Sequence, residues 1–272
     1  MSTALMFTKM HGAGNDFIMI DQRDLEDQTL SPEMIQAVCD RRTGVGADGL
    51  IILAPATSPG AAFRMIYFNA DGYEAEMCGN GARCSVAFAQ AIGLAKMEMQ
   101  FDTFSGLLEG TVFGPEDIQV SLPVWKDLEL DLDLGDQEFP NHHTCNTGVP
   151  HLVIPVPDVG AVDVSRWGSH YRHHEQFAPA GTNVNFVSHN PDSGQHMLRT
   201  FERGVEDETL ACGTGASASA VVLCQLGLAQ SPLKLHTRGG DQLQVSVDFE
   251  HNKLLLRGPA VTSFRGEVLI HG

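Results

Sequence analysis

The sequence predicts a mixed α/β protein of the α+β type, built as two similar halves from many short strands and few helices. A nine-residue phrase occurs twice, as EMCGNGARC at 76–84 and as LACGTGASA at 210–218. Its two cysteines, Cys78 and Cys212, are separated by about half of the 272-residue chain. Strand-like runs fill most of the remaining sequence, and the length is enough for two ordinary domains.

Composition excludes several classes of partner. The formal net charge of −17 repels phosphate backbones and anionic lipids, so we expect neither nucleic-acid nor membrane binding. The N-terminus has no long apolar core after a basic start, so no secretion signal is expected. The six cysteines include no C-x-x-C pair. Reduced thiols and a cytoplasmic location are therefore the expectation.

The N-terminal elements follow from local signals. Residues 5–21 read as a strand, a glycine-rich turn and a second strand. Ser31 and Pro32 are suited to the N-cap and first position of a short helix over 31–42. Further strands are predicted at 44–53, after a turn, and at 63–69, before a turn at 69–72.

Two helices dominate the rest of the prediction. Residues 81–95 and 215–229 are apolar on most faces, so each helix is expected to be buried centrally in its half. Gly93 and Gly227 mark their ends. Strand-like runs precede and follow both. The acidic stretch 126–138 is interpreted either as the change of domain or as a solvated edge strand.

The repeat extends beyond the cysteines. Residues 68–81, FNADGYEAEMCGNG, parallel residues 201–215, FERGVEDETLACGTG. The tetrapeptide at 14–17, GNDF, also echoes NVNF at 183–186. Two coincidences in the same order predict a duplicated design.

A cysteine before Gly-x-Gly at a helix start suits acid–base chemistry. The positive end of the helix dipole favours a thiolate, and the glycines let backbone N–H groups approach an anion such as a carboxylate. Two such thiols facing one carbon could remove an α-proton from one side and return a proton on the other. Cys39, Cys84, Cys145 and Cys224, which lie outside this pattern, are expected to be inert packing groups.

Other site types match less well. No Lys-Ser/Thr ending supports a phosphate-binding P-loop. Metal binding is conceivable around His142, His143 and Cys145 or around His173 to Glu175. The spacings do not match a structural zinc site, so these histidines are expected to be surface groups and no metal is predicted.

Seven motifs in order resemble the diaminopimelate epimerase family. They are HGAGNDFIMID (11–21), GVGADGLI (44–51), FNADG with MCGNGARC (68–84), GVPHLVI (148–154), GTNVNFV (181–187), FERGVEDETLACGTGA (201–216) and GPAVTSFRGEV (258–268). The resemblance implies two pseudo-symmetric domains, each a curled mixed sheet around a central helix, with the active site in the cleft between them. It places domain one at 1–122 plus 260–272 and domain two at 123–259.

The resemblance also implies an activity and site residues. The reaction would interconvert LL- and meso-diaminopimelate, a step of lysine and peptidoglycan synthesis, without pyridoxal phosphate or any other cofactor, in a homodimer. Cys78 and Cys212 match the acid–base pair, and His151 and Glu202 match residues that tune the thiols. The matched substrate-binding residues are Asn15, Asn69, Gly79, Asn80, Asn183, Glu202, Arg203, Gly213 and Thr214.

Two positions depart from the family pattern. Gly49 stands where a substrate-contacting Gln is frequent, and Val149 stands where an Asn is frequent. Side-chain hydrogen bonds are missing there, which leaves substrate details open. The alternatives are a related racemase acting on another amino acid such as proline or histidine, and a thiol-redox or binding protein that uses the same cleft. Asn80 favours diaminopimelate, because a His there is what the resemblance associates with proline racemases.

Overall fold

The computed structural model describes residues 2–25, 28–75, 78–190 and 195–271. The chain divides into two compact units, Met1–Val120 with Gly258–Gly272 (unit 1) and Ser121–Arg257 (unit 2). The boundaries given by the resemblance lie two residues further along the chain in each case. Within the described residues, no helix has the length and apolar character needed to cross a bilayer.

Strands make up most of both units. Unit 1 contains β1 (Ser2–Gly12), β2 (Asn15–Asp21), β3 (Gly49–Ala54), β4 (Arg64–Asn69), β5 (Glu98–Thr103), β6 (Gly106–Gly114) and most of β7 (Asp117–Leu122). Unit 2 contains β8 (Lys126–Leu132), β9 (His142–Asn146), β10 (Pro150–Pro155), β11 (Asn183–Asn190), β12 (Gln195–Glu202), β13 (Asp207–Thr209), β14 (Leu233–His236), β15 (Gln242–Asp248) and most of β16 (Lys253–Pro259). The last strand, β17 (Val261–His271), belongs to unit 1, where it pairs antiparallel with β1.

The four α-helices of the described residues are α1 (Pro32–Cys39), α2 (Gly79–Ala91), α3 (Val164–Arg172) and α4 (Gly213–Gln225). The predicted start of α1 is confirmed, since Ser31 Oγ accepts the Met34 N–H at 3.3 Å. Gly93 and Gly227 both have positive φ just beyond α2 and α4, as expected for helix ends. Helix α3 was not predicted from the sequence.

The two units share one order of elements. In unit 1, β1 and β2 form a hairpin, β2 pairs parallel with β3 across α1, and β3 pairs antiparallel with β4. In unit 2, β9 and β10 form the hairpin, β10 pairs parallel with β11 across α3, and β11 pairs antiparallel with β12. A cysteine and a long helix follow in both units. The mixed α+β class and the internal repeat are therefore confirmed.

Strand register corrects one detail of the predicted repeat. Phe17 lies opposite Gly49 in the β2–β3 pair, and His151 lies opposite Asn183 in the β10–β11 pair. The segment 14–17 therefore corresponds to 148–151, not to 183–186. The predicted match is wrong because two Asn-x-Phe-like patterns lie on strands that are not equivalent.

The register assigns counterparts to the two departures from the family pattern. Asn15 of unit 1 corresponds to Val149 of unit 2, and Asn183 of unit 2 corresponds to Gly49 of unit 1. At each of these two corresponding positions, one unit has an asparagine side chain and the other unit has a residue without a polar side chain. The two halves therefore share a backbone plan but not a set of polar side chains.

Each long helix is the buried centre of its unit. α2 packs on β1, β2, β3, β4 and β6, and α4 packs on β9, β10, β11 and β15. Small side chains permit this close packing. An added Cβ at Gly110 of β6 would lie only 2.4 Å from Val86 Cγ2 of α2. The prediction of two central, fully surrounded helices is confirmed, because side chains on all faces are buried.

The acidic stretch forms β8, which pairs antiparallel with β9. Its side chains alternate between exposed and half-buried positions, as in a strand with one face in solvent. The division between the units comes just before it, at Val120/Ser121. A solvated strand is therefore the right interpretation, and it lies immediately after the unit boundary.

Candidate active site

The two repeated cysteines occupy the same structural position in their own units. Cys78 is the N-cap of α2 and Cys212 is the N-cap of α4, with nearly equal backbone angles of φ −131°, ψ 111° and φ −120°, ψ 110°. Each sulfur accepts a hydrogen bond from the N–H three residues on, of Gly81 and Gly215, at 3.4 Å in both cases. A sulfur in this position lies at the positive end of the helix dipole, which stabilises negative charge.

The glycine at the third helical position lies close to side-chain atoms of the surrounding structure in both units. A Cβ at Gly81 would lie 2.8 Å from Ile51 Cδ1. A Cβ at Gly215 would lie 2.2 Å from Asn185 Oδ1 and 3.3 Å from the Cys212 sulfur. The pattern Cys-Gly-x-Gly therefore brings the helix start close both to its capping sulfur and to the neighbouring strand.

The other four cysteines are in surroundings that disfavour the thiolate. Burial raises the pKa of the Cys39 thiol to about 11 and that of Cys84 and Cys145 to about 12. Burial also raises the pKa of Cys224. These four thiols stay protonated near neutral pH, which agrees with their predicted role as packing groups.

In unit 1, two amide side chains converge on Cys78. The Cys78 S–H donates to Asn15 Oδ1 at 3.4 Å, and Asn80 Nδ2 donates to the same oxygen at 3.3 Å. Asn15 Nδ2 in turn donates to Asp48 Oδ2 at 2.6 Å, and Asn80 Oδ1 accepts from Arg83 at 2.9 Å. Asn15 and Asn80, both predicted from the sequence, thus lie beside the thiol. Asp48 and Arg83 were not predicted.

Asn69 and Gly49 lie opposite each other at the ends of β4 and β3. The Asn69 side chain is exposed, while its main chain forms the predicted turn by accepting from the Gly72 N–H at 2.9 Å. A Cβ at Gly49 would come within 2.4 Å of the Phe68 carbonyl oxygen. Strand β4 therefore has to move before any longer side chain can replace this glycine.

In unit 2, Asn183 joins two predicted segments. Its Nδ2 donates to the Pro150 carbonyl at 2.8 Å, and its Oδ1 accepts the Arg203 N–H at 2.9 Å. Glu202 ends β12 immediately before Arg203, and both side chains are half-buried. Asn183 therefore fixes the backbone from which Arg203 projects.

The contacts of Cys212 include two groups that can donate to its sulfur, the Gly215 N–H and the Thr214 hydroxyl. The Thr214 hydroxyl lies 3.4 Å from the sulfur, and the Thr214 carbonyl accepts from Thr147 Oγ1 at 2.9 Å. Gly79 and Gly213, also predicted as binding residues, are the first residues of α2 and α4 and are buried. The first N–H groups of a helix have no acceptor within the helix, so these positions can bind an anion.

His151 is fully buried and uncharged near neutral pH. Burial and the nearby Arg203 charge lower its pKa to about 3. Its Nδ1 lies 3.1 Å from Asn185 Nδ2, which also donates to the Leu152 carbonyl at 3.0 Å. Asn185 was not predicted as a site residue, although it lies in the quoted motif at 181–187 and touches the start of α4.

Of the two histidine clusters considered for metal binding, one agrees with the expected surface position and one differs from it. His173 and Glu175 are exposed and His174 is half-buried, as expected. His142 and His143 were expected at the surface, but both are 1% exposed, because β9 lies inside unit 2 and His142 packs on Tyr171. Over the ranges that the structure describes, no group of three or more His, Cys, Asp or Glu side chains is arranged to hold a metal ion.

Comparison with known proteins identifies the family. The sequence model described as diaminopimelate epimerase matches residues 7–122 and 143–263. Diaminopimelate epimerase of Aquifex aeolicus is 41% identical, over 96% of this chain and 97% of the relative. That of Chlorobaculum tepidum is 42% identical, over 96% of this chain and the whole relative.

Among solved structures, a probable proline racemase from Agrobacterium radiobacter has the same fold, with a TM-score of 0.74 at 16% identity. The alignment covers 97% of this chain and 92% of that protein. The family model and these relatives match nearly the whole length of the chain. The chain belongs to the diaminopimelate epimerase family.

Proposed function

We propose that this protein interconverts LL- and meso-diaminopimelate by a two-base mechanism in which Cys78 and Cys212 are the acid–base pair. The observation that carries the proposal is their equivalent placement. Each caps the central helix of its unit and accepts a hydrogen bond from the third N–H of that helix. Membership of the family supplies the substrate.

The proton balance follows from the chemistry of two thiols. One cysteine, as thiolate, takes the α-proton from the substrate and becomes a thiol. The electron pair left on the α-carbon accepts the proton of the other cysteine on the opposite face, and that cysteine becomes a thiolate. The product has inverted configuration, and the two residues have exchanged protonation states. The reverse reaction therefore uses the same residues with the roles swapped.

Helix N-termini supply the electrostatic part of the mechanism. Backbone N–H groups at Gly79–Asn80 and Gly213–Thr214 bind the carboxylate next to the reacting carbon in this proposal. When the α-proton leaves, negative charge spreads from the carbon onto that carboxylate, and fixed N–H donors stabilise it. The glycines matter because the ligand has to approach the backbone closely.

The remaining predicted residues are proposed to bind the rest of the substrate. Arg203 offers a bidentate guanidinium for a carboxylate, and Glu202 offers a carboxylate for an ammonium group. Asn15, Asn69 and Asn183 offer donors and acceptors. Because Gly49 and Val149 carry no polar side chain, contacts at those positions come from the backbone or from water. Neutral His151 is proposed to act together with Glu202 on the thiols by packing and hydrogen bonding.

A substrate panel with cysteine variants tests the proposal. The reduced protein is incubated separately with LL-diaminopimelate, L-proline and L-histidine, and the stereoisomers are separated by chiral chromatography. We expect turnover of diaminopimelate, and losses of roughly 10²–10⁴-fold in Cys78→Ala and in Cys212→Ala. Cys224→Ala, which removes a thiol outside the pair, is the matched control and should retain activity.

Each alternative has its own outcome in that panel. Inversion of proline or histidine with inert diaminopimelate would assign the chain to another racemase. No inversion of any amino acid, together with a reversible disulfide between Cys78 and Cys212, would favour a thiol-redox or binding protein. Full activity in either single cysteine variant would remove the two-base scheme.

We also propose that the enzyme works without pyridoxal phosphate, as a cytoplasmic homodimer. Support for these points is the family resemblance. Activity should survive dialysis against hydroxylamine and against a chelator. Sedimentation at several protein concentrations should give twice the 29.4 kDa chain mass. A persistent 29.4 kDa species with full activity would contradict the dimer.

A further inference from the structure

Two residues outside the proposed substrate contacts fix the orientation of the amides beside Cys78. Arg83 is fully buried, and its guanidinium donates to Asn80 Oδ1 at 2.9 Å and to the carbonyls of Gly79 and Pro259, both at 3.3 Å. A guanidinium only donates, so the Asn80 oxygen has to face Arg83. The Asn80 nitrogen is therefore directed to the other side, where Asn15 Oδ1 lies at 3.3 Å.

Asp48 fixes Asn15 from the opposite direction. The Asp48 carboxylate is ion-paired with Arg41 at 2.7 Å and accepts Asn15 Nδ2 at 2.6 Å. A carboxylate only accepts, so the Asn15 nitrogen has to face Asp48. The Asn15 oxygen is left pointing toward Asn80 and the Cys78 sulfur. One obligate donor and one obligate acceptor thus determine both amides.

The charged cluster behind Asp48 makes this arrangement rigid. Asp48 also accepts the Asp16 N–H at 3.2 Å, and its own N–H donates to Asp16 Oδ1 at 3.0 Å. Asp16 pairs with Lys9 and with Arg41, each at 2.7 Å. Burial raises the pKa of Asp16, but hydrogen bonds from Arg41 and Lys9 outweigh burial and hold that pKa well below its usual range.

We propose that Asp48 is a positioning residue that acts on Cys78 through Asn15. Asp48 holds the Asn15 oxygen 3.4 Å from the Cys78 sulfur. That oxygen accepts a hydrogen bond from the protonated thiol, whereas it would repel a thiolate. Cys78 therefore retains its proton more strongly than its place at the helix N-terminus alone would allow. This inference rests on the proposed function, in which Cys78 has to be a proton donor in one direction.

Several other groups of unit 1 also affect the equilibrium between thiol and thiolate at Cys78. The Gly81 N–H favours the thiolate, as does the buried Arg83 charge, while the Asn15 oxygen favours the thiol. The ion-pair cluster behind Asp48 carries two charges of each sign. The charged and titratable groups described near this pair of amides are Lys9, Asp16, Arg41, Asp48, Arg83 and Cys84. In Asp48→Ala the Asn15 nitrogen loses its carboxylate acceptor, so of these two contacts the Asn80 Nδ2 donor alone holds the Asn15 oxygen, which can then shift away from the sulfur.

The test follows alkylation of Cys78 by iodoacetamide as a function of pH in the full chain. Trypsin releases residues 65–83, in which Cys78 is the sole cysteine, so mass spectrometry reports this thiol alone. We expect Asp48→Ala to lower the pH of half-maximal reactivity by about one unit, or roughly tenfold in thiolate fraction at fixed pH. Asp24→Ala, which removes another exposed carboxylate of unit 1, should leave the profile unchanged.

A double-mutant cycle separates positioning from simple loss of charge. If Asp48 acts through the Asn15 amide, adding Asp48→Ala to Asn15→Ala produces no further shift. An undiminished shift in the Asn15→Ala background, or no shift in Asp48→Ala itself, overturns the proposal. If Asp48→Ala fails to fold, Asp48→Asn, which has the same shape, replaces it in the test. The pH profile of alkylation should then move in the same direction by a smaller amount, and an unchanged profile would overturn the proposal.

Alkylation does not depend on the substrate, so the two proposals fail separately. A wild-type protein that inverts diaminopimelate but shows no effect at Asp48 would remove only the positioning role. A protein that inverts another amino acid would still be expected to show the shift, because it concerns Cys78 and its neighbours alone.

Discussion

Replacing Gly215 with Ala should disrupt unit 2, whereas the same change at the equivalent Gly81 should be tolerated. The added Cβ at 215 would lie 2.2 Å from Asn185 Oδ1, where ordinary contacts begin at about 3.4 Å, so that oxygen has to move by more than 1 Å. Asn185 is fully buried and holds Thr200 Oγ1, His151 and the Leu152 carbonyl. It cannot move that far without breaking some of these bonds.

The cost can be worked from those bonds. Leaving one or two buried polar groups unsatisfied costs about 1–3 kcal/mol each. Ala returns up to about 1 kcal/mol of helix propensity. With two such groups lost at about 2 kcal/mol each, the net loss in the free energy of unfolding of unit 2 is about 3 kcal/mol. At Gly81, the added Cβ meets Ile51 Cδ1 at 2.8 Å and Met65 Cε at 3.3 Å, the movable ends of flexible side chains. A change within about 1 kcal/mol is expected there.

The assay uses a convenient feature of the sequence. Both tryptophans, Trp125 and Trp167, lie in unit 2, so tryptophan fluorescence during urea unfolding reports that unit. Gly215→Ala should lower the urea midpoint by roughly 1–2 M, and Gly81→Ala should leave it in place. Gly215→Ala should also lose epimerase activity, because the new Cβ lies 3.3 Å from the Cys212 sulfur. An unchanged midpoint with activity within twofold of wild type would refute the reasoning.

Further predictions concern the thiols and the buried histidine. Native alkylation at pH 8 should label Cys78 and Cys212 and spare the four cysteines whose pKa burial raises, as peptide mass spectrometry can check; early labelling of Cys84 would contradict this. His151 has its pKa lowered to about 3, so the unfolded state alone takes up a proton as the pH falls below about 6.5. Unit 2 should therefore lose stability between pH 6.5 and 3, by at most about 1.4 kcal/mol per pH unit from this group. In His151→Gln the slope of the urea midpoint against pH should decrease; an equal slope would assign the effect to other groups such as His142 and His143.

The sequence was sufficient to predict the parts of the fold that depend on local pattern. Cys-Gly-x-Gly before an apolar run predicted both capped helices, and Ser31-Pro32 predicted the start of α1. Helix α3 was missed because its buried side is narrow. Val164, Gly168 and Tyr171 are buried, Trp167 packs half-buried against the same core, and the remaining residues of the helix are polar. Its existence follows from topology, since it occupies the connection that α1 occupies in unit 1.

Contacts between segments far apart in the chain could not be predicted from local sequence patterns. Asp48 reaches Asn15 only because β2 and β3 pair in parallel, 33 residues apart. The false match of 14–17 with 183–186 has the same cause, since only strand register shows which segments are equivalent. His142 and His143 were predicted at the surface, because clustered polar residues give no sign that their strand is buried or that Tyr171 packs on His142.

The central claim, that two thiols act on opposite faces of one carbon, is tested most directly by isotope position at early turnover. Starting from protiated LL-diaminopimelate in deuterated water, the first meso product should carry deuterium at the inverted carbon, while unreacted LL substrate stays protiated. The reason is that the donating thiol has already exchanged its proton with solvent, whereas the abstracted proton stays on the other cysteine. Early product that retains the substrate's own proton would show a single base acting on both faces and would contradict the account.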